Sequence, residues 1–246
     1  MKRILITRPR AQADDFAEKL RAAGLEPIFF PVIEIRPIEN NVELEQALAN
    51  LDCYDWIVFT SVNAVEVVCN NPALPLPFPV KVAAIGPKTA EALQERGITP
   101  DFVPAEYVAE AILPGLGDVH GKSILLPRAE IARKALPEAI AAAGGIPHEI
   151  AVYRTLPAQP DPEGLAALRS GVEIVTLTSS STVQNFMAIA RQSGMDPLHL
   201  PGNPLFACIG PITEQSAREA GLVNLAVARE YTTEGLIEAI RNLEAS

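Results

Sequence analysis

The sequence is poor in cysteine and in long apolar runs, and each shortage excludes a class of protein. Its 246 residues include three cysteines, Cys53, Cys69 and Cys208, an odd number without CxxC spacing. This pattern predicts free thiols in a reducing compartment. No stretch approaches the roughly 20 apolar residues that a membrane helix needs. The apolar run 4–6 before Arg8 is too short for a signal peptide, so we expect a cytoplasmic protein.

Positive charge is also in short supply. The formal net charge is −10, with 20 Lys and Arg against 30 Asp and Glu. Nucleic acids and anionic membranes attract clustered Lys and Arg, so we predict neither as a partner. With 48% hydrophobic and 20% charged residues, the composition is that of an ordinary globular protein. An anionic ligand would therefore have to be held by local donors.

Common cofactor and catalytic motifs are missing too. The histidines His120, His148 and His199 lack HxH and HExxH spacing, so we predict no metal site. No P-loop occurs, and the glycines of 115–121 miss the dinucleotide pattern GxGxxG by one residue. No GxSxG elbow indicates a serine hydrolase. The sequence predicts no cofactor.

The sequence does contain an internal duplication of three segments, which we name A, B and C. Segment A recurs at an offset of 120 residues, since 124 minus 4 and 144 minus 24 agree. The match of segment C continues beyond the repeated turn, with Glu106-Tyr107 aligned to Glu230-Tyr231. The matched pairs are ILITRPR 4–10 and RAAGLEP 21–27 with ILLPRAE 124–130 and AAAGGIP 141–147 (A), DWIVFTSVNAV 55–65 with EIVTLTSSSTV 173–183 (B), and AAIGPKTAEALQERG 83–97 with ACIGPITEQSAREAG 207–221 (C).

Each repeated unit has the pattern of alternating strands and helices. Short β-branched runs alternate with amphipathic stretches, which are typical of helices. Those stretches end at Gly24, Gly97, Gly144 and Gly221, where a left-handed glycine closes a helix. The pattern predicts an α/β protein with two flavodoxin-like domains, each a five-stranded parallel sheet with helices on both faces. A single ten-stranded sheet is the alternative.

Two proline-bearing stretches, 35–42 and 155–163, fall at equivalent places in the duplication. Each follows a copy of segment A and precedes a copy of segment B, which indicates that the chain passes from one domain to the other twice. The predicted domain 1 is 1–35 plus 164–246 and domain 2 is 43–153, with linkers at 36–42 and 154–163. A simple division into 1–117 and 118–246 remains the alternative.

Hydroxyl residues stand where strands lead into helices in both copies. Segment B has Thr60-Ser61 and Thr178-Ser179, and segment C has Ile-Gly-Pro-X-Thr at 85–89 and 209–213. Such hydroxyls either cap helices or join free backbone N–H groups in an anion site at the carboxyl ends of parallel strands. Tyr153, in the stretch VYRT, either packs on an edge strand or faces the space between the domains.

In their order and spacing these motifs resemble the uroporphyrinogen-III synthase family. The resemblance covers essentially the whole chain. It rests on ILITRP with Gly24, DWIVFTSVNAV, AAIGPKTA, HEIAVYRT, TSSSTVQNF and FACIGPITEQSAREAG, followed by Tyr-Thr-Thr at 231–233. The family similarity implies two flavodoxin-like domains joined by a two-stranded linker, with the ligand cleft between them.

The resemblance also implies an activity. The protein would be a lyase of tetrapyrrole and heme biosynthesis that closes hydroxymethylbilane to uroporphyrinogen III, with loss of water and inversion of the last ring. It would need no cofactor, would be a monomer and would have hydroxymethylbilane synthase as a transient partner. A two-domain binding protein for an anionic metabolite is the main alternative, and a nucleotide-sugar transferase is another.

The family similarity assigns roles to residues at the repeated turns and to one outside them. It implies that Tyr153 is the catalytic acid that helps the hydroxyl leave. The implied substrate-binding residues carry donors for carboxylates, and they are Arg8, Thr60, Ser61, Asn63, Thr89, Ser179, Ser181 and Thr213.

Overall fold

The computed structural model describes residues 1–74, 77–105 and 109–242. It divides into two compact units, one of Met1–Glu34 with Leu156–Ser246 and one of Ile35–Thr155. The first unit thus holds the first copy of segment A with the second copies of B and C, and the second unit holds the others. Glu106 and Tyr107, through which the match of segment C continued, lie outside the described residues.

Strands and helices mostly alternate along the described part of the chain, as the periodicity predicts. The strands are β1 (Arg3–Ile6), β2 (Glu26–Phe29), β3 (Ile33–Pro37), β4 (Trp56–Phe59), β5 (Lys81–Ala84), β6 (Ser123–Ala129), β7 (Ile146–Pro157), β8 (Ile174–Leu177), β9 (Leu205–Cys208) and β10 (Leu225–Val227). The α-helices are α1 (Asp14–Ala22), α2 (Val42–Ala49), α3 (Val62–Cys69), α4 (Pro87–Gln94), α5 (Ala109–Ile112), α6 (Ala135–Ala142), α7 (Pro162–Ser170), α8 (Ser180–Gln192), α9 (Pro211–Glu219) and α10 (Thr233–Asn242). Among these described helices, none is long and apolar enough to cross a membrane.

The first unit is built on a five-stranded sheet in the order β10-β9-β8-β1-β2. Its neighbouring strands pair in parallel, for example Ile4 opposite Ile174. Successive strand residues point to opposite faces, and both faces are covered. Leu5 packs in the cluster that includes Phe186 of α8, whereas Ile4 packs in the cluster that includes Leu20 of α1.

The second unit has a five-stranded sheet in the order β3-β7-β6-β4-β5. The pairs β4–β5, β4–β6 and β6–β7 are parallel. Ile57 packs in the cluster that includes Val65 of α3, and Val58 packs with Ile140 of α6 on the other face. The α/β class and the two five-stranded sheets are confirmed, and the alternative of one ten-stranded sheet is wrong.

The predicted helix ends at glycine are confirmed. Gly24, Gly97, Gly144 and Gly221 have φ angles of 79°, 73°, 81° and 92°, in the left-handed region. At Gly144 a Cβ would also come within 2.7 Å of the His120 ring. An alanine there would strain the backbone and collide with the histidine, so the duplicated glycine is required by geometry in this copy.

Candidate active site

A cavity of about 280 Å³ lies at the carboxyl ends of β4 and β6, beside Tyr153 of β7, within the second unit. Two sequence-predicted residues, Thr60 and Tyr153, line it. Arg128 and Arg133 add positive charge to its wall, and Ile131 adds an apolar surface. The carboxyl ends of parallel strands are the usual place for a ligand in this class of sheet. The cavity is therefore the candidate active site.

Tyr153 is aimed at this site by an irregularity in β7. Arg128 pairs with Ala151, but the next residue of β6 pairs with Tyr153, so Val152 is an extra residue. A β-bulge of this kind redirects the side chains that follow it. Val152 and Tyr153, which regular alternation would place on opposite faces, belong to the same core cluster. Tyr153 exposes only 7% of its surface, so its ring packs in the core while its side chain also borders the cavity.

Ser61 links the phenol of Tyr153 to the start of α3. Its Oγ accepts a hydrogen bond from the Ala64 N–H at 3.1 Å, so Ser61 caps the helix. The same oxygen lies 3.1 Å from the Tyr153 hydroxyl. Either hydroxyl can be the donor in this hydrogen bond. When Ser61 is the donor, the Tyr153 proton is not used in this contact.

The equivalent turn in the first unit is occupied by a capping box. Ser179 caps α8, its Oγ accepting from the Thr182 N–H at 3.1 Å, while Thr182 Oγ1 accepts from the Ser179 N–H at 3.0 Å. Ser181 Oγ lies 2.9 Å from Ser179 Oγ. The structure thus brings these two predicted residues together. The capping interpretation of Ser61 and Ser179 is confirmed, and their binding of substrate stays a prediction.

The remaining predicted hydroxyl and amide groups lie in first helical turns. Thr89 and Thr213 follow the Gly-Pro turns that begin α4 and α9, and each exposes 4% of its surface. Asn63 lies in the first turn of α3 and is partly exposed. Thr60, Ser61, Asn63 and Thr89 all belong to the second unit. Their roles towards substrate stay predictions.

Arg8 lies two residues beyond the end of β1, in the first unit. Its side chain bonds to Gln12 rather than to the hydroxyls of Ser179 or Ser181. Its Nη2 donates to Gln12 Oε1 at 3.5 Å. Burial lowers the pKa of the Arg8 guanidinium, and the nearby Asp15 carboxylate opposes that shift. A guanidinium ordinarily remains protonated at neutral pH. Arg8 thus brings a largely buried guanidinium to the carboxyl edge of the first sheet.

Arg128 was not among the site residues predicted from the sequence, although the duplication points to it. Arg128 is the repeat equivalent of Arg8, since 8 plus 120 is 128. Its Nη1 donates to Glu149 Oε2 at 2.7 Å, and its Nη2 donates to the Arg133 carbonyl oxygen. The second hydrogen bond holds the segment after β6 against the cavity. The sequence signal for Arg128 is the offset of the duplication, which pairs one arginine with another.

The sequence matches a protein-family model described as Uroporphyrinogen-III synthase HemD over residues 14–238. It is also 35% identical to a uroporphyrinogen-III synthase from Synechococcus elongatus. That alignment covers 97% of this chain and 94% of the relative. The likeness therefore runs through both units rather than through one of them.

Two solved structures have a similar fold. A uroporphyrinogen-III synthetase from Helicobacter pylori matches with a TM-score of 0.67 at 20% identity, over 99% of this chain and 100% of that one. A mutant uroporphyrinogen III synthase from Thermus thermophilus matches with a TM-score of 0.63 at 21% identity, over 100% of both chains. At these identities the structures support the fold alone.

Proposed function

Because this chain belongs to the uroporphyrinogen-III synthase family, we propose that it closes hydroxymethylbilane to uroporphyrinogen III, with loss of water and inversion of the last pyrrole ring. The observation that carries the proposal is the family match over residues 14–238. A binding protein for an anionic metabolite is disfavoured, because the relative with 35% identity is named a synthase and the alignment covers 94% of its length.

The reaction needs a proton donor and a fixed substrate conformation. Tyr153 donates its proton to the hydroxyl of the terminal hydroxymethyl group, the C–O bond breaks and water leaves. The substituted carbon of the last ring then bonds to the methylene carbon and forms a spiro intermediate, which rearranges to the inverted ring. The proton released as the macrocycle closes returns to Tyr153. No electrons are gained or lost, so the reaction needs no redox cofactor.

The contacts of Tyr153 support its role as the acid. A tyrosine phenol ordinarily keeps its proton at neutral pH, and Ser61 Oγ lies 3.1 Å from the phenol oxygen, where it can donate once the phenol has lost its proton. Ser61 therefore stabilises the phenolate that proton donation leaves behind. Thr60 borders the same cavity and can orient the departing hydroxyl or the water it becomes.

Substrate binding is the larger part of the catalysis in this proposal. The bilane closes by itself to the wrong isomer, so the protein must hold the chain with the substituted carbon against the methylene. The substrate bears a carboxylate on each pyrrole side chain, which suits dispersed donors better than one cationic pocket. We assign these contacts to one arginine and to the hydroxyl and amide groups that follow the strands. The residues are Arg8, Thr60, Ser61, Asn63, Thr89, Ser179, Ser181 and Thr213.

Finer features belong to the same proposal. We infer flavodoxin-like domains of 1–35 plus 164–246 and of 43–153, with a two-stranded linker formed by 36–42 and 154–163. We also infer a cytoplasmic monomer that makes transient contact with hydroxymethylbilane synthase. Support for the linker comes from β3 and β7, which are neighbours in the sheet order and near whose carboxyl ends the two stretches begin.

An isomer-resolved assay tests the proposed function. Purified protein is supplied with hydroxymethylbilane, and the products are oxidised and separated by chromatography, with heat-inactivated protein as the control. We expect mainly the III isomer with the native protein and the I isomer with the control. If only the I isomer accumulates in both, the proposed function is wrong.

A further inference from the structure

Two arginine side chains have a buried nitrogen without a hydrogen-bond partner. These are Arg8 Nε and Arg128 Nε, and no other buried side-chain nitrogen or oxygen within 1–74, 77–105 and 109–242 is in this condition. The offset of the duplication, 120 residues, relates the two positions. Two occurrences at one position of a repeated unit indicate a shared role rather than a local packing fault.

The two arginines also occupy equivalent places in their sheets. β1 lies between β2 and β8, and β6 lies between β7 and β4, so each is an interior strand. Arg128 belongs to the carboxyl end of β6, and Arg8 follows the carboxyl end of β1. This edge of a parallel sheet is where ligands bind in α/β proteins. Both guanidinium groups are thus at a ligand-binding edge.

An unpaired N–H at such a place points to an acceptor that comes with the ligand. A buried donor without an acceptor is costly, and such groups are rare in folded proteins. A guanidinium binds a carboxylate through two parallel N–H groups, and Nε with one Nη forms such a fork. In Arg128, Nη1 donates to Glu149 and one N–H of Nη2 donates to the Arg133 carbonyl oxygen. The Nε–H and the second N–H of Nη2 are left to bind a carboxylate. In Arg8, the 3.5 Å contact of Nη2 with Gln12 is weak.

We propose that Arg128 binds a carboxylate of the substrate in the second unit, as the counterpart of Arg8 in the first. This inference rests on the proposed function, because it takes the carboxylates of the bilane as its ligands. Arg128 borders the cavity that Tyr153 borders, so a carboxylate held by Arg128 fixes the substrate close to the proposed acid. Each arginine takes a separate carboxylate.

Steady-state kinetics with hydroxymethylbilane test the pair. Arg128→Gln and Arg8→Gln are each expected to raise KM by roughly tenfold, the factor for a lost hydrogen bond to a charged group. The value of kcat should change less, because the proton donor is intact. The double variant should raise KM by roughly a hundredfold, since separate sites act additively in free energy. Arg128→Lys keeps the charge but loses the fork, and an intermediate KM is expected.

Two control variants separate binding from structure. Glu149→Gln removes the negative charge that faces Nη1 but keeps an acceptor oxygen, and its KM should stay at the wild-type value. If Glu149→Gln and Arg128→Gln raise KM equally, Arg128 only holds Glu149 and the inference is wrong. Arg154→Gln removes an exposed arginine that follows Tyr153 and pairs with Glu130, and it should also leave KM unchanged.

The outcomes distinguish this inference from the proposed function. If the wild-type protein does not yield the III isomer, the proposed function fails first. If it does, and Arg128→Gln has the wild-type KM and thermal midpoint, the inference fails alone. Should Arg128→Gln not fold, Arg128→Lys decides the question. Thermal stabilisation by uroporphyrinogen III gives a second readout, and it should be smaller for Arg128→Lys than for Arg154→Gln.

Discussion

The hydroxyl oxygens of Ser61 and Tyr153 lie 3.1 Å apart, although 92 residues separate them in the chain. Ser61 is held in place because it caps α3 through the Ala64 N–H. Tyr153 is held by the core cluster in which its ring packs. The proposed proton donor is thus fixed from both sides and does not have to be ordered when a substrate binds, which favours proton transfer in one geometry.

Tyr153→Phe removes the proposed acid and keeps the ring. We expect kcat for uroporphyrinogen III formation to fall by roughly 10²-fold or more, as is typical for the loss of general acid catalysis, while KM changes little. The measurement is steady-state kinetics with isomer separation. Tyr54→Phe is the control, since the Tyr54 hydroxyl contacts His148 and lies outside the cavity lining. Unchanged turnover in Tyr153→Phe would leave Tyr153 with packing alone.

Ser179→Ala tests the capping box that begins α8. The variant loses the acceptor for the Thr182 N–H, so the free energy of unfolding should fall by about 1 kcal/mol. Ser179→Asp restores an acceptor and should recover most of that loss. Chemical denaturation monitored by circular dichroism measures both. Ser193→Ala, at the carboxyl end of the same helix, is the control and should be nearly neutral. An equal loss in both alanine variants would contradict the capping role.

Features that depend on neighbouring residues were the ones predicted well from sequence. The alternation of strands and helices, the left-handed glycines such as Gly24, and the cap at Ser61 each arise from a few consecutive residues. The duplication added information beyond one element, because it showed that the same pattern occurs twice. Local chemistry together with a repeat therefore predicted the α/β class and two separate sheets.

The arrangement of the candidate site depends on tertiary packing and was harder to predict. The contact of Tyr153 with Ser61 requires the bulge at Val152, and nothing in the stretch VYRT specifies it. The burial of Thr89 to 4% likewise follows from helix packing rather than from its turn motif. Arg128, in contrast, could be predicted from the sequence, because adding the repeat offset of 120 to the position of Arg8 gives Arg128.

The ion pair between Lys19 and Glu234 predicts a pH dependence of stability. Lys19 Nζ lies 2.6 Å from Glu234 Oε1, and this hydrogen bond is the main reason why the pKa of Glu234 is lowered from 4.5 to about 2. A lowered folded-state pKa stabilises the protein above pH 4.5, and that stability is lost as the pH falls towards 2. Because Glu234 is exposed, solvent screening limits the contribution to about 1 kcal/mol or less.

Glu234→Gln should therefore be less stable than the wild type at pH 7. The difference in stability between the two should shrink as the pH is lowered from 5 to 3. Thermal melts at each pH measure the difference. High salt at pH 7 should shrink it as well, since the pair is exposed. Glu238→Gln on the same helix is the matched control and should show a smaller dependence. A difference that persists unchanged at pH 3 would show that Glu234 acts by packing.

Thiol reactivity should distinguish Cys53 from Cys208. Cys53 is exposed, whereas Cys208 is buried at the end of β9. Burial is the main reason why the pKa of the Cys208 thiol is raised to about 12, with the Glu214 carboxylate adding to the shift. The thiolate is the reactive form, so at pH 8 Cys208 should be inert in the folded protein. Cys69, which is partly buried and whose pKa burial also raises, should react slowly.

The measurement is the time course of labelling with a maleimide, followed by peptide mass spectrometry. In native buffer we expect rapid modification of Cys53, and Cys53→Ser should remove this fast phase. In denaturant all three cysteines should react at similar rates, because burial no longer protects Cys208 or raises the pKa of its thiol. Rapid labelling of Cys208 under native conditions would mean that the carboxyl edge of the first sheet opens on the time scale of the reaction. Since the Thr213 turn begins the helix that follows β9, such opening would also count against a rigid arrangement of the donors assigned there.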